Sequence, residues 1–452
     1  SYSMSSAGYR ERIHKAGERS VSVAFGELLE AETPIIEVKN KVQELSITAW
    51  EAYIQKLCPM ASSWLRSAKR VGSAPSVFSP DGNHFSGTSM SAAVLSFGKI
   101  IESKTQNENH VGILIPPSAP CLIANLACLI KGKTVINLNY TSPVSIMQYC
   151  ADEANVKTIF TARAFVQKLT ERGLDLSPLL NSYQIYYMED LKEEISKFTL
   201  IRNFIRSKLL PVWWIEHFDV KKVSLNDVAS ILFSSGSEGK PKGVELTHFN
   251  LMGNIKQCMS VLNPGSDDVL LGVLPLFHAF GFSITSMMCL VEGVPVVAYP
   301  DPTDSKMIGR ICAEFKVTIM VGTGTFLRMW GTSRSVHPLM FESIRAVWAG
   351  AEKIREDVRI LYRTKFQKEI YEGFGTTETT PVAAVNTFDT LLEDYQTVQQ
   401  GNKPGTVWAP LPGTQFKIVD PENMEELPIG EDGLILIGGA QIMRGYLNDP
   451  DR

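Results

Sequence analysis

Residues 234–243 read Ser234-Ser235-Gly236-Ser237-Glu238-Gly239-Lys240-Pro241-Lys242-Gly243, and they directly follow the apolar run Val228-Ala229-Ser230-Ile231-Leu232-Phe233. Closely spaced glycines let backbone N–H groups turn toward one concavity, while serine hydroxyls add donors and lysines add positive charge. A loop of this composition after a strand predicts a phosphate site. A mobile Gly/Ser loop between two strands is the other interpretation of such a stretch taken alone.

The two lysines of this loop do not fit a Walker P-loop. That motif requires Gly-Lys-Ser/Thr after four variable residues, whereas Lys240 and Lys242 are followed by Pro241 and Gly243. The loop instead resembles the phosphate loop of the adenylate-forming superfamily, which includes acyl-CoA synthetases, luciferases and peptide-synthetase adenylation domains. Glu238 departs from that pattern, because most members have Thr or Ser at its place. The resemblance implies that Lys242 is a catalytic cation and that ATP is bound by Ser234, Ser235, Gly236, Ser237, Glu238, Gly239, Lys240 and Gly243.

A second stretch, Tyr371-Glu372-Gly373-Phe374-Gly375-Thr376-Thr377-Glu378, is similar to the Tyr-Gly-x-Thr-Glu motif of the same superfamily. Phe374 offers a ring on which adenine can stack, and Gly375 keeps the backbone close to the base. The resemblance implies that Thr377 donates to the α-phosphate and that Glu378 holds Mg²⁺ through hard oxygen ligands. Read alone, Gly-Thr-Thr-Glu is also a plausible turn between a strand and a helix.

Two further stretches match family segments that border the nucleotide and the acid. Val347-Trp348-Ala349-Gly350-Ala351-Glu352 resembles the wall of the adenine pocket, so Gly350, Ala351 and Glu352 are candidate nucleotide contacts. Pro275-Leu276-Phe277-His278 matches the segment that places a histidine near the acyl carboxylate. We expect His278 to position that carboxylate rather than to act as a general base. The alternatives are a tight turn after a buried strand and a structural histidine.

An apolar series follows His278 and has two interpretations. It can wall a tunnel for an acyl chain, or it can simply be core. Its members are Phe280, Phe282, Ile284, Met287 and Met288, with Gly322, Gly324 and Phe326.

Length and composition limit the fold and the partners. A chain of 452 residues is too long for one simple core, so two or more subdomains are expected. The net charge of -4 gives no reason to expect a nucleic-acid partner. Strand-like and helix-like segments alternate over 111–138 and again over 268–322, which predicts an α/β fold with two doubly wound subdomains. From Gly401 the sequence becomes rich in strand patterns, as at the start of the family's small β-barrel subdomain.

Three short stretches narrow the resemblance to the synthetase half of the bifunctional 2-acylglycerophosphoethanolamine acyltransferase/acyl-acyl-carrier-protein synthetase family. They are Asn139-Tyr140-Thr141, Lys157-Thr158-Ile159-Phe160-Thr161 and Tyr186-Tyr187-Met188-Glu189-Asp190-Leu191.

The resemblance implies four units. Residues 1–58 would be the remnant of an acyltransferase-like domain, ending in a strand over 20–26 and a linker helix from Thr33-Pro34. Residues 59–225 and 226–400 would be two AMP-binding subdomains, and residues 401–452 would begin the β-rich subdomain. We expect the family's small C-terminal domain to be missing, and therefore expect this chain alone to bind nucleotide but to be effectively inactive.

Residues 198–214 interleave bulky apolar side chains with Arg202, Arg206 and Lys208 and end in Trp213 and Trp214. A basic amphipathic segment of this kind suits the surface of an anionic membrane. The alternative is an ordinary helix whose apolar face packs on the domain.

Taken together, the resemblance implies ATP- and Mg²⁺-dependent activation of a fatty acid to acyl-AMP, followed by transfer to the thiol of acyl carrier protein during lysophosphatidylethanolamine reacylation. A long-chain fatty acid–CoA ligase is the alternative within the same enzyme class. A membrane-associated nucleotide- or lipid-binding module without catalysis is the alternative of another class. The implied location is the cytoplasmic face of the inner membrane, either peripheral or anchored by parts outside this chain.

Overall fold

The computed structural model describes residues 22–234, 239–392, 396–407 and 409–449. Over these ranges the fold is mixed α/β and is built on two sheets whose central strands run parallel. The α/β class predicted from the alternation of strands and helices is therefore confirmed.

The strands are numbered in chain order. They are β1 (Pro75–Phe78), β2 (His84–Ser86), β3 (His110–Leu114), β4 (Thr134–Asn137), β5 (Thr158–Thr161), β6 (Gln184–Tyr187), β7 (Val228–Ser234), β8 (Lys242–Thr247), β9 (Leu270–Gly272), β10 (Val296–Ala298), β11 (Ile319–Gly322), β12 (Ala346–Ala349), β13 (Ile370–Phe374), β14 (Ala384–Val385), β15 (Thr390–Leu391), β16 (Val398–Gln399), β17 (Ala409–Pro410), β18 (Thr414–Val419), β19 (Leu434–Gly439) and β20 (Gly445–Tyr446).

The α-helices are numbered in the same way. They are α1 (Ile35–Ile54), α2 (Met60–Val71), α3 (Gly87–Lys104), α4 (Ala119–Ile130), α5 (Val144–Glu153), α6 (Arg163–Glu171), α7 (Ser177–Ser182), α8 (Met188–Glu194), α9 (Lys197–Leu209), α10 (Val212–Asp219), α11 (His248–Leu262), α12 (Cys289–Glu292), α13 (Ser305–Glu314), α14 (Gly324–Thr332) and α15 (Glu356–Leu361). Shorter helical pieces of other types are π-helical at Phe280–Met288 and Tyr362–Phe366 and 3₁₀ at Pro338–Phe341 and Thr377–Thr379.

The first sheet has seven strands in the order β20-β8-β7-β4-β3-β5-β6, and the second has nine in the order β17-β14-β13-β12-β11-β9-β10-β1-β2. These sheets do not divide the chain at a single point. The β1–β2 hairpin joins the second sheet although it precedes every strand of the first, and β7 and β8 belong to the first sheet. The boundaries expected at residues 225 and 400 stay predictions. Where β-rich structure was predicted, β18 and β19 pair as an antiparallel hairpin.

Helix α11 holds several distant segments together through buried amide side chains. Its N-terminus has a capping box formed by Thr247 and Asn250, a pattern that satisfies two backbone donors at once. The Asn250 amide also donates to the backbone oxygens of Ala440 and Ile442. One turn later, the Asn254 amide donates to the backbone oxygen of Val382, whose N–H donates in return. The helix therefore fixes the chain around residues 382 and 441 relative to the first sheet.

The helix predicted after Thr33-Pro34 is confirmed as α1, but the strand expected over 20–26 is not. Residues 22–26 have no regular structure, and residues 20 and 21 lie outside the described part of the chain. Helix α1 packs against α11 and β18 rather than standing apart as a linker. Its Ile54 side chain is buried against Gly253, and its Trp50 ring lies against Gly413.

Helix α9 buries polar side chains and exposes apolar ones, whereas most surface helices do the reverse. The residues that it buries against α3 are Asn203 and Ser207, and the Asn203 amide donates to Ser96 Oγ at 2.9 Å. The large apolar side chains instead face outward. Within the described residues, no helix has the length and apolar character needed to cross a bilayer.

Candidate active site

A cleft of about 800 Å³ opens where the carboxyl ends of several strands meet. Its walls come from the end of β7 and the start of β8, and from the segments that follow β9, β11, β12 and β13. In α/β folds this edge of the sheet is the usual place for a ligand, because the loops there carry the variable polar groups.

The structure brings nine of the predicted site residues to this cleft. They are Ser234, Lys242, His278, Gly350, Ala351, Phe374, Gly375, Thr377 and Glu378.

The turn that carries Thr377 and Glu378 requires glycine at its start. A Cβ on Gly375 would lie 1.6 Å from the backbone oxygen of Pro381, so the two backbone segments can approach only without a side chain. The hydroxyl of Thr379 donates to that same oxygen at 2.7 Å and accepts from the N–H of Thr376 at 2.9 Å. The motif is thus held as one compact loop at the rim of the cleft.

Glu378 is held from two sides by the segment 440–449. Its backbone oxygen accepts from the N–H of Met443 at 2.8 Å, and its Oε1 accepts from the hydroxyl of Tyr446 at 2.8 Å. The Lys242 ammonium lies over the ring of the same tyrosine, 5.4 Å from its centroid. Strand β20 places this tyrosine by pairing antiparallel with β8, which begins at Lys242.

His278 is exposed to the cleft, yet the surrounding walls displace water from its ring. That desolvation lowers the pKa of His278 below the ordinary histidine value of 6.5. The imidazole is therefore neutral at neutral pH and presents one N–H donor and one acceptor nitrogen. This state suits hydrogen bonding to a carboxylate without adding a permanent positive charge.

Four of the predicted nucleotide contacts do not line the cleft. Lys240 lies over the ring of Tyr149, 5.3 Å from the centroid, and Gly239 and Gly243 flank it in the chain without reaching the cleft wall. The Glu352 Oε1 atom instead accepts from the backbone N–H of Thr325 at 2.6 Å, where it satisfies a donor in the first turn of α14.

Burial alone would raise the pKa of Glu352, but its hydrogen bonds with Thr325 outweigh this and lower it. The carboxylate therefore has structural partners at the start of α14. Four other predicted contacts, Ser235, Gly236, Ser237 and Glu238, lie outside the described residues.

The donor set around Glu378 fits a magnesium ion only if phosphates supply most of the ligands. Within the described ranges, no group of three or more His, Cys, Asp or Glu side chains is arranged so that it could hold a metal ion. A single carboxylate at the rim of an open cleft is the usual protein contribution when Mg²⁺ is bound together with nucleotide phosphates. Glu378 fits that role.

A small apolar cavity of about 50 Å³ adjoins the cleft. Phe280, Gly373 and Val382 line both spaces, so they form part of the wall between them. The remaining lining residues of the small cavity are Cys258, Val261, Leu262, Ile284, Val321, Trp348, Ala349, Val385 and Leu411.

The sequence left open whether the apolar series after His278 lines a tunnel for an acyl chain or forms core, and the structure shows some members at the cavities and others in the core. Phe280 and Phe326 line the cleft, and Ile284 lines the small cavity. Phe282, Met287 and Met288 are instead fully buried in the core, where they cannot meet a ligand without rearrangement.

Sequence reasoning missed several residues of the lining. Thr323 and Pro381 have no distinctive pattern around them, and Val382 looks like any apolar residue. Tyr446 lies in the stretch Gly445-Tyr446-Leu447-Asn448, whose composition does not by itself indicate a site residue. It was not assigned a role, because its contact with Glu378 spans 68 residues of sequence.

The chain is similar to known proteins in sequence and in fold. 4-Coumarate–CoA ligase 1 of Petroselinum crispum is 29% identical over 355 residues, which are 76% of this chain and 61% of the relative. The chain thus spans about three fifths of the length of such curated relatives.

Two solved structures are similar in fold. ATP-bound MatB from Rhodopseudomonas palustris superposes with a TM-score of 0.68 at 21% identity and covers 86% of this chain and 72% of that one. The N-terminal subdomain of NpsA from Klebsiella oxytoca, in complex with 3-hydroxyanthranilyl-AMSN, gives 0.69 at 17% identity, with coverage of 87% and 90%. At these identities, the likeness concerns the fold.

The family model described as AMP-binding enzyme matches residues 64–447, which include both sheets and every residue of the cleft lining. By this match, the chain belongs to the AMP-binding enzyme family.

Proposed function

We propose that this chain supplies the nucleotide- and carboxylate-binding part of an ATP-dependent acyl ligase that activates a fatty acid as acyl-AMP. The observation that carries the proposal is the convergence of Lys242, Thr377, Glu378 and the Phe374 ring on one cleft. A cation and a hydroxyl suit phosphate oxygens, and an aromatic face suits a purine base. Membership of the AMP-binding enzyme family supports the same chemistry.

In the proposed first step, a carboxylate oxygen of the acid forms a bond to the α-phosphorus of ATP, and the bond to the β-bridging oxygen breaks so that pyrophosphate leaves. Lys242 neutralises charge on the phosphates, and the Thr377 hydroxyl donates to an α-phosphate oxygen. His278, which its lowered pKa keeps neutral, orients the acid. Mg²⁺, when bound, supplies further charge neutralisation to the triphosphate, and Glu378 would hold it. Alignment of two mutually repelling anions is the main task of the site.

In the proposed second step, a thiol attacks the acyl carbon, loses its proton, and AMP leaves. We propose acyl carrier protein as the thiol carrier, in reacylation of lysophosphatidylethanolamine, on the basis of the finer sequence resemblance. CoA is the second candidate acceptor, and it is favoured by the names of the curated relatives, which are CoA ligases. The small apolar cavity beside the cleft supports an apolar acid as substrate.

The test is ATP/pyrophosphate exchange by the full-length protein with fatty acids from C8 to C18 and with 4-coumarate, followed by transfer assays with acyl carrier protein and CoA. We expect exchange with at least one fatty acid. Phe280→Ala, which removes part of the wall between the two spaces, should shift the preferred acid toward longer chains. Leu339→Ala, at an exposed site remote from the cleft, should not. Absence of exchange with every acid would favour a non-catalytic binding module.

We further propose that the outward face of α9 and the start of α10 bind an anionic membrane, on the cytoplasmic face of the inner membrane. Exposed lysines border this apolar face and complement negatively charged headgroups: Lys197, Lys208, Lys221 and Lys222. The exposed apolar side chains are Phe198, Ile201, Phe204, Ile205, Leu209, Trp213 and Phe218.

Within this segment, Leu210 and Trp214 pack against the core, while Leu209 and Trp213 are exposed. Their exposure makes Leu209 and Trp213 the better choice for a test.

Co-sedimentation with vesicles that contain anionic lipid tests this surface. We expect Leu209→Ser/Trp213→Ser to bind less than wild type, and we expect salt to weaken wild-type binding, since each basic residue near the surface contributes about 1 kcal/mol. Leu339→Ser/Ile429→Ser is the matched control, because both residues are exposed and lie elsewhere. Equal sedimentation by the two double variants and wild type would refute the membrane proposal.

A further inference from the structure

The cleft holds one polar contact that the proposed chemistry has not used. The Tyr446 hydroxyl donates to Glu378 Oε1 at 2.8 Å, and Lys242 lies over the ring of the same residue, 5.4 Å from its centroid. One side chain therefore touches both the carboxylate proposed to hold the metal and the lysine proposed to hold phosphate.

We propose that Tyr446 is a positioning residue that sets the separation and orientation of Glu378 and Lys242 for metal–nucleotide binding, an inference that rests on the proposed function. Its hydroxyl occupies Oε1 of Glu378 and thereby fixes the rotation of the carboxylate, which leaves Oε2 for a metal ion. Its ring gives the Lys242 ammonium a favourable face, as cations over aromatic rings commonly have.

Backbone hydrogen bonds fix the position of Tyr446 relative to β8. Gly445 and Tyr446 pair with Glu245 and Val244 of β8, and the N–H of Leu447 donates to the backbone oxygen of Gly243 at 2.7 Å. The tyrosine is therefore carried on the same strand pair that begins at Lys242. Its distance from the phosphate loop is fixed by main-chain hydrogen bonds rather than by a flexible side chain.

The backbone of Glu378 is fastened to the same segment. Its carbonyl oxygen accepts from the N–H of Met443, three residues before Tyr446. With both main chain and carboxylate fixed, Glu378 loses little freedom when a metal ion binds. Removal of a hydrogen bond that orients a ligating carboxylate costs about 10- to 100-fold in metal affinity in other metal sites.

The test measures binding rather than turnover. Calorimetric titration with α,β-methylene-ATP, with and without Mn²⁺, gives the nucleotide affinity and its dependence on the metal. Tyr446→Phe keeps the ring under Lys242 but removes the donor to Glu378, so we expect about tenfold weaker Mn²⁺-dependent binding and unchanged metal-free binding. Tyr446→Leu removes the ring as well and should also weaken metal-free binding.

Tyr183→Phe is the matched control, because the Tyr183 hydroxyl donates to Asp152 Oδ1 at 2.6 Å and neither residue lines the cleft. It should leave both affinities unchanged. On a Glu378→Gln background, Tyr446→Phe should add no further loss, since the two residues act through one contact.

Unchanged Mn²⁺-dependent binding in Tyr446→Phe, or an equal loss in Tyr183→Phe, would overturn the inference while leaving the proposed function in place. An additive loss in the double variant would also overturn it. A wild-type protein that bound no nucleotide under either condition would overturn the proposed function and this inference together.

Discussion

A buried histidine at the start of α11 makes the stability of the chain depend on pH between about pH 4 and pH 6.5. His248 is 3% exposed, and its Nδ1 accepts from the backbone N–H of Met60 at 3.3 Å. Burial lowers the pKa of His248 from 6.5 to about 4, although Asp227 opposes the shift. The folded protein therefore keeps this imidazole neutral.

Whether acid stabilises or destabilises the folded chain depends on whether the folded or the unfolded state binds the proton more readily. Above about pH 6.5, the imidazole is neutral in both the folded and the unfolded chain, and the shifted pKa has no effect on stability. As the pH falls below 6.5, the unfolded chain binds a proton that the folded chain rejects until about pH 4, so the free energy of unfolding decreases. With these two pKa values, the loss at pH 4.5 is about 2.5 kcal/mol.

The assay is urea unfolding followed by tryptophan fluorescence at pH 7.5 and 4.5, for wild type and His248→Asn. The variant loses packing at both pH values, so its absolute stability is not diagnostic. The free energy of unfolding should decrease from pH 7.5 to pH 4.5 by about 2.5 kcal/mol less in the variant than in wild type. His84→Asn, at an exposed position, should retain the wild-type decrease. The same decrease in wild type and His248→Asn would refute the reasoning.

Two other substitutions test the site and the scaffold. Gly375→Ala should weaken binding of ATP by tenfold or more, because the added methyl lies 1.6 Å from the backbone oxygen of Pro381 and the turn must move. Gly438→Ala is the control, because the nearest atom is 3.9 Å away, and it should bind ATP as wild type does in calorimetric titration. Arg345→Met removes two hydrogen bonds, of 2.8 and 2.7 Å, to the buried Asp268 carboxylate. It should lower the free energy of unfolding by about 2 kcal/mol. This loss is smaller than that expected for a fully buried ion pair, because the arginine side chain is 32% exposed. Burial alone would raise the pKa of Asp268, but its hydrogen bonds and the charge of Arg345 outweigh burial, so the pKa is lowered. The difference in the free energy of unfolding between wild type and Arg345→Met, measured with urea, should therefore shrink as the pH falls through that lowered pKa.

The local elements were predictable because their signals are local. Two of them appear as expected: the helix after Thr33-Pro34 and the alternation of strands and helices from residue 111. Nine predicted site residues also meet in one cleft, since loops that follow parallel strands converge at one edge of a sheet.

Features that depend on contacts distant in sequence were not predictable in the same way. Pairing of β1 with β10 joins Val77 to Val296, and no local pattern specifies that partner. The reversed amphipathicity of α9 was likewise hidden, because the sequence shows which residues are apolar but not that Asn203 would be buried against Ser96. Glu352 was assigned to the nucleotide because it follows Gly350 and Ala351, whereas its carboxylate reaches back to α14.

The docking of α1 also has a consequence for biosynthesis. Ile54 packs on Gly253, Trp50 on Gly413, and Ile47 comes within 3.9 Å of the position that a Cβ on Gly438 would occupy. A ribosome that adds 5 to 20 residues per second would need on the order of 20 to 80 s to reach Gly438 after Ile54 has been made. Until Gly413 and Gly438 have been made, part of the apolar face of the nascent helix has no partner to pack against. Helix α1 thus completes its packing only after residues about 380 positions later have been made, and it depends on the nascent chain remaining unaggregated until then.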